Sequence, residues 1–257
     1  SVVIGNSVTN IGWEAFAECG ALTAVFFTGS APTTVDAMAF FNTPATLTFY
    51  YFPGTGAWPP EIVDIPTELI HLSYSYSSDG TQVTITGIDP SYTGHYLSLP
   101  ATLNGLPVTA IGERAFYRCD TLTSVAIPDS VKNIDKQAFA NCTNLVSVII
   151  GNGVTDIGYM AFYNCDSLTS VTIPDNVTNI GDRAFAYCDS LTSVTIGNSV
   201  TNIGDQAFYS CGSLASVTIP DSVKNIGNRA FDNCTNLTSV AIGNSVKNIG
   251  DQAFYRC

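Results

Sequence analysis

Apolar residues return on a fixed template every 23 positions through most of the chain. One turn of the template places them at Leu168, Val171, Ile173, Val177, Ile180, Ala184, Phe185 and Cys188. The next turn places them at Leu191, Val194, Ile196, Val200, Ile203, Ala207, Phe208 and Cys211. The alternation Val-x-Ile predicts a short strand with both side chains turned inward, and Val-x-x-Ile predicts a second extended segment. The Ala-Phe pair is read as a short helical turn, in which alanine lets the backbone approach and phenylalanine fills the interior. A unit this short cannot bury its apolar side alone. Many near-identical units in series therefore predict a solenoid of stacked coils.

The turns joining the two extended segments alternate. Pro128-Asp129, Pro174-Asp175 and Pro220-Asp221 alternate with Gly151-Asn152, Gly197-Asn198 and Gly243-Asn244. Both pairs are turn formers, proline by presetting φ and glycine or asparagine by tolerating positive φ. The deeper period is thus 46 residues, a pair of coils.

Cysteine closes each unit at positions 119, 142, 165, 188, 211, 234 and 257, with an eighth at position 19. Coils joined by strand pairing stand about 4.8 Å apart. Neighbouring thiols thus come within reach of the disulfide window of about 4.4–6.8 Å between Cα atoms. Every cysteine nevertheless falls in a core slot beside Phe and Leu, and stacked side chains run parallel. The row reads as a ladder of buried thiols, with disulfides or a metal as lesser alternatives. No histidine or aspartate is read as pairing with the row to hold a metal, and there is no Cys-x-x-Cys.

The segment Leu-Thr-Ser-Val-Thr-Ile-Pro-Asp-Asn-Val-Thr-Asn-Ile-Gly-Asp-Arg-Ala-Phe-Ala-Tyr-Cys, ending at Cys188, resembles the BspA-like leucine-rich repeat family, and the resemblance extends over about residues 1–42 and 97–257. It implies a right-handed leucine-rich-repeat solenoid, a β-rich α/β fold with one β-strand and one short helical turn per coil. Members are typically large secreted or surface-attached proteins of bacteria and some protists, associated with adhesion. The implied location is extracellular or at the cell surface. The implied partner is a protein of a host, a matrix or a neighbouring cell.

Along the chain, residues 1–66 read as the C-terminal end of a first array plus a β cap, with a degenerate coil from Leu22 to about Asn42. Residues 67–72 read as a linker. Residues 73–107 form a predicted β-hairpin N-terminal cap, from the Ser-Asp-Gly turn signal between alternating segments. Residues 108–257 read as a second array of seven 23-residue repeats, so that two arrays are separated by β-rich caps. Both ends look cut from a longer protein, and an unpaired last coil would allow end-to-end self-association.

Candidate surfaces follow from the outward positions of the template. The strand presents Ser147, Ser170, Thr172, Ser193, Thr195, Ser216 and Thr218 on its concave side, a flat, neutral, hydroxyl-rich face suited to a protein strand or a polysaccharide. Tyr163, Tyr209 and Tyr255 follow the core phenylalanine in alternate coils and offer a lateral aromatic surface. Asn133, Asn179, Asn202, Asn225 and Asn248 suggest an asparagine ladder bonded to neighbouring backbone. Arg114, Arg183 and Arg229, with adjacent acids, suggest a solvated charged edge. The aromatic cluster of Phe49, Tyr50, Tyr51, Phe52 and Trp58 reads as an array seal, with a ligand pocket as the alternative.

The chain carries 21 acidic and 9 basic residues, a net charge of −12, which disfavours nucleic acid and anionic lipid as partners. No apolar run is long enough for membrane insertion as a helix. The two histidines, His71 and His95, stand in no nucleophile or metal motif, and no phosphate-binding loop is present. The sequence thus points to a non-enzymatic interaction module without catalytic residues, cofactor or metal. A structural spacer and the binding region of a larger secreted enzyme are the alternatives.

Overall fold

The computed structural model describes residues 2–5, 7–27, 30–51, 61–62, 65–69, 74–88, 92 and 94–257. Phe52, Trp58 and His71 lie outside the described residues, as do residues 70–72 of the expected linker. The chain divides into two units, Ser1–Leu72 and Ser73–Cys257.

The second unit is a β-solenoid whose coils have three segments. The first is a parallel strand: Ser124–Ala126, Ser147–Ile149, Ser170–Thr172, Ser193–Thr195, Ser216–Ile219 and Ser239–Ile242. The second is a two-residue strand, repeated from Asn133–Ile134 to Asn248–Ile249 in one continuous parallel ladder. Inward Val and Ile from both segments bury against Leu and Phe, as the template requires.

The third segment departs from the sequence expectation, because no helix forms there. Arg183 and Tyr187 both adopt left-handed backbone, at φ 56° and 61°, and equivalent pairs recur in the other coils. Two left-handed residues four apart break any helical run. The N–H groups of Arg183, Phe185 and Tyr187 instead donate to the carbonyls of Asp205, Ala207 and Tyr209 in the next coil, each at 2.8 Å. The N–H groups of Ala184 and Ala186 close local turns on Gly181 and Arg183. A single isolated helical turn would leave its end groups unpaired, whereas bonding between coils satisfies alternate groups along the whole stack.

Inside the stack the phenylalanines form one column. Phe116, Phe139, Phe162, Phe185, Phe208, Phe231 and Phe254 follow one another with ring centroids 5.0–5.4 Å apart and interplanar angles of 2–9°. Each cysteine thiol from Cys142 to Cys257 donates to the carbonyl of the phenylalanine 26 residues earlier, at 3.1–3.3 Å. Cysteine fits this slot because it is small, apolar and still able to donate weakly.

The 46-residue period has a steric basis. A Cβ added to Gly151, Gly197 or Gly243 would lie 2.3–2.6 Å from backbone atoms of Pro128, Pro174 or Pro220 in the preceding coil. Within each such pair the aspartate carboxylate accepts from the next coil's backbone: Asp129 from Asn152, Asp175 from Asn198 and Asp221 from Asn244, at 2.6–2.8 Å. Strand pairing follows the same grouping. Ser170–Thr172 pairs over three residues with Ser193–Thr195, and Ser216–Ile219 over four with Ser239–Ile242. Between groups, Ser147–Ile149 meets the next strand at one residue pair, and Ser193–Thr195 and Ser216–Ile219 belong to separate sheets.

The described amide bonds of the asparagine row run side chain to side chain along the row rather than to backbone. Asn179 donates to Asp156, Asn202 to Asn179 and Asn248 to Asn225, at 2.6–2.9 Å. The neighbouring threonines Thr155, Thr178 and Thr201 make the backbone bonds instead, each to a carbonyl of the coil before.

At the start of this unit, Tyr74–Ser78 and Val83–Ile88 form an antiparallel hairpin, and the latter pairs in parallel with Leu106–Ile111. Its turn is organised by Asp79, whose Oδ1 accepts from the backbone and hydroxyl of Thr81 and from the backbone of Gln82. Those bonds hold the Asp79 carboxyl down at about 2. In the first unit, Val2–Ile4, Ala24–Phe27, Thr48–Tyr51 and Ile65–Leu69 lie parallel in one sheet. Phe49 is fully buried there, edge-on to Phe27 and Phe40.

Candidate interaction surfaces

The strand face carries Ser147, Ser170, Thr172, Ser193, Thr195, Ser216 and Thr218, all exposed. Parallel register aligns Ser147 with Ser170, Ser170 with Ser193, and Thr172 with Thr195. Among the described residues their hydroxyls have no protein partner. The row breaks between Ser193 and Ser216, where the sheet divides. This face presents hydroxyl groups, with Ile149 as an apolar exception, and no cation or aromatic ring.

The third segment is chemically different. All five arginines of the chain, at positions 114, 118, 183, 229 and 256, occur in it. Arg114 and Arg118 lie over the Tyr117 ring at 5.5 Å, and Arg256 lies over Tyr255 at 5.2 Å. Arg114, Arg183 and Arg229 each donate through Nε to a glutamine of the following coil: Gln137, Gln206 and Gln252, at 2.7–2.8 Å. A neutral amide thus orients each guanidinium without cancelling its charge. Ion pairs are sparse among the described residues: Lys136 with Glu113 at 3.2 Å, and Arg229 with Asp232 at 3.9 Å.

Position by position, the residue after the core phenylalanine reads Tyr117, Ala140, Tyr163, Ala186, Tyr209, Asp232, Tyr255. Tyrosines therefore stand two coils apart with smaller residues between them. Tyr163 and Tyr209 are brought into one cluster by Tyr187, edge-on to both rings with centroids 5.3 Å away. Tyr187, Ala186 and the arginine–glutamine brace escaped the sequence reading, because Tyr187 is one position out of register with the tyrosine row. The signal was present in the absence of an aromatic at position 186. Tyr255 lies two coils beyond Tyr209 with Asp232 between them, so it stands outside the cluster.

Tyr163, Tyr187 and Tyr209, with Arg183, Ala186 and Gln206, line a depression of about 140 Å³. The phenol of Tyr187 is pushed above its ordinary range by burial, then by Tyr209 and Tyr163, and Arg183 partly opposes the shift. The thiols are shielded far more strongly. Burial raises Cys165, Cys188 and Cys211 well above the ordinary thiol range, and Cys234 to about 12. Such thiols are poor nucleophiles and poor metal ligands.

Three-segment coils stacked in parallel around a Leu, Val, Ile and Phe core define a leucine-rich-repeat type of β-solenoid. The chain matches the BspA type Leucine rich repeat region in six copies, over residues 1–55, 109–220 and 201–257, and it belongs to that family. Families of such repeats are typically protein-binding and generally non-catalytic. Among solved structures it is similar to the leucine-rich repeat protein TpLRR of T. pallidum, with 35% identity and a TM-score of 0.68, covering 72% of this chain and 86% of that one. It is also similar to a leucine-rich repeat protein of Bacteroides ovatus, at 28% identity and TM-score 0.54 over 72% of this chain and 55% of that one. A leucine rich cell surface protein of Faecalibacterium prausnitzii is 35% identical, with a TM-score of 0.50, over 65% of this chain and 52% of that one. The chain thus spans about half the length of the latter two relatives. No functionally curated protein matches the sequence.

Proposed function

We propose that this chain is a non-enzymatic, cell-surface adhesion module that binds a protein partner through the third face of its second unit. The observation that carries the reading is the cluster of Tyr163, Tyr187 and Tyr209 around Arg183. Tyrosine and arginine dominate binding hot spots, since they offer large rigid contact area with a polar or charged tip. Here they collect on one face of a protein whose net charge is −12. The strand face, flat and rich in serine and threonine, supplies flanking hydroxyl contacts. Surface location is supported by the relative described as a cell surface protein. No described helix is long and apolar enough to cross a membrane.

The test is capture of purified host, matrix and neighbouring-cell surface proteins on the immobilised chain, compared with two variants. Tyr163→Ser with Tyr209→Ser removes the walls of the cluster. Thr172→Lys with Thr195→Lys and Thr218→Lys changes only the strand face. The reading expects a discrete partner lost with the tyrosine pair and retained, more weakly, with the lysine triple. Absence of any partner, or binding indifferent to the tyrosine pair, overturns it.

A further inference from the structure

Two turns of the third segment, one in each unit, carry opposite charge on matching backbone. Trp13-Glu14-Ala15-Phe16-Ala17-Glu18-Cys19 corresponds position for position to Glu113-Arg114-Ala115-Phe116-Tyr117-Arg118-Cys119. Glu14 and Glu18 adopt left-handed backbone at φ 53° and 60°, and Arg114 and Arg118 do so at 57° and 58°. The turns close through the same hydrogen bonds. The N–H of Ala17 donates to the Glu14 carbonyl and that of Tyr117 to the Arg114 carbonyl, both at 3.1 Å. The N–H groups of Gly20 and Asp120 donate to the carbonyls of Glu18 and Arg118 at 2.8 and 2.9 Å. Two carboxylates and two guanidiniums are thus mounted at the same backbone spacing, and all four side chains are exposed. No other coil of the second unit has arginine at both positions.

The surface around the two glutamates is aromatic. Trp13 is 67% exposed, and Phe41 of the following coil is 51% exposed. The Phe41 carbonyl accepts from the Glu18 N–H at 2.8 Å, which sets the two residues side by side. Asn42 donates to Glu18 at 2.9 Å, and neither glutamate has an ion-pair partner among the described residues. Residues 1–72 hold acids at positions 14, 18, 36, 61, 64 and 68, and the first lysine or arginine of the chain is Arg114. The opposite turn is the counterpart. Arg114 and Arg118 share the Tyr117 ring at 5.5 Å and have no carboxylate partner among the described residues. Adjacent Glu113 is taken by Lys136 at 3.2 Å, and Asp120 accepts from Thr143 at 3.5 Å.

We propose that the Trp13 turn of one copy docks on the Arg114–Arg118 turn of a second copy of this chain. In antiparallel apposition Glu14 meets Arg118 and Glu18 meets Arg114, while Trp13 and Phe41 cover the arginine stems and the Tyr117 ring. Exposed ion pairs contribute little singly, so the contact also needs its aromatic component. Arginine suits both parts, since its planar fork pairs with a carboxylate and stacks on a ring. The contact joins unlike surfaces, so it builds a row of copies or closes into a ring. It uses neither the cluster of Tyr163, Tyr187 and Tyr209 nor the strand face, and it therefore goes beyond partner binding. The charge of −12 opposes the encounter at long range. A Debye length of about 10 Å at 0.1 M salt screens that repulsion and leaves the close contacts.

Sedimentation equilibrium of the whole chain at about 0.1 M ionic strength is the test. The average mass should rise with concentration, with a dissociation constant on the order of 100 μM, as for a small transient interface. Glu14→Arg with Glu18→Arg makes both turns basic, and Arg114→Glu with Arg118→Glu makes both acidic. Each exchanged residue is one that the twin turn already holds at a similar φ, so both variants should fold. Each alone should associate about tenfold more weakly or less. The basic variant is the less charged chain, so general repulsion does not account for its loss. An equimolar mixture of the two variants should restore association, because basic turns then meet acidic ones. Trp13→Ser should weaken association about tenfold at unchanged charge. A chain that stays monomeric up to about 1 mM overturns the proposal. So does association unchanged in either charge variant, or a mixture no more associated than its parts.

Discussion

Gly197 packs directly on Pro174 of the preceding coil: a Cβ at Gly197 would lie 2.3 Å from the Pro174 carbonyl oxygen. The same contact joins Gly151 to Pro128 and Gly243 to Pro220, so coils are locked in pairs by turn sterics. Gly197→Ala should therefore destabilise the second unit by about 2–3 kcal/mol, as overpacking against rigid backbone does. Gly212→Ala is the control, since its Cβ would meet nothing nearer than Thr235 Oγ1 at 3.8 Å. Urea unfolding of the two variants checks the contrast, and equal midpoints would remove the steric explanation of the 46-residue period.

The phenylalanine column makes stability depend on position within the stack. Phe185 is fully buried between Phe162 and Phe208, whereas Phe254 is half-buried with a single stacked neighbour. Phe185→Ala should cost about 3–5 kcal/mol. Phe254→Ala should cost clearly less, because its cavity opens to solvent. Thermal denaturation of the pair measures the difference.

Buried thiols tie stability to alkaline pH. The folded-state pKa values of Cys165, Cys188, Cys211 and Cys234 are raised above the ordinary thiol value of 9.0. Above that value an unfolded chain gives up these protons while the folded chain keeps them. Their contribution is fully present below pH 9.0 and is lost as pH rises, for Cys234 through about 12. Each such thiol steepens the decline by about 1.4 kcal/mol per pH unit in that window. Denaturant midpoints across the window should fall more steeply for this chain than for Cys188→Ala with Cys211→Ala. Near neutral pH, exposed Cys19 should react with a thiol reagent in the native protein, and Cys165, Cys188 and Cys211 only after unfolding.

Asp135 offers a local electrostatic test. Its carboxyl is raised by burial first, then by the charges of Asp156 and Glu113. Asp156→Asn should lower the Asp135 pKa toward its ordinary value without returning it fully, because burial remains. Stability should then be lost less steeply as pH rises through the carboxylate range. A carboxyl-carbon titration by nuclear magnetic resonance reads the shift directly.

The stack was legible because its signal is redundant. Val171, Ile173, Val177 and Ile180 recur in register in coil after coil, and no alternative packing buries them all. The third segment was misread for a physical reason. Ala184-Phe185 suits a helical turn locally, but the carbonyls of the next coil offer better partners to Arg183, Phe185 and Tyr187. Side-chain competition was equally invisible. Nothing local said that Asn202 would bond Asn179 while Thr201 took the backbone carbonyl of Thr178. The tyrosine row was visible, but its capture by Tyr187 depends on where an out-of-register ring points.

The amino-acid sequence by itself determined the coil length, the inward residues, the pairing of coils and the family. The coil length, inward residues and family follow from periodic burial of apolar side chains, a property of spacing alone, and the pairing of coils follows from the alternation of Pro-Asp and Gly-Asn turns. Only the tertiary structure decided that the third segment is an inter-coil ladder, that Arg183 is braced by a neutral amide, and that the Tyr187 ring stands between Tyr163 and Tyr209. Those outcomes depend on which groups meet across coils, where geometry in three dimensions chooses among partners that spacing leaves equivalent.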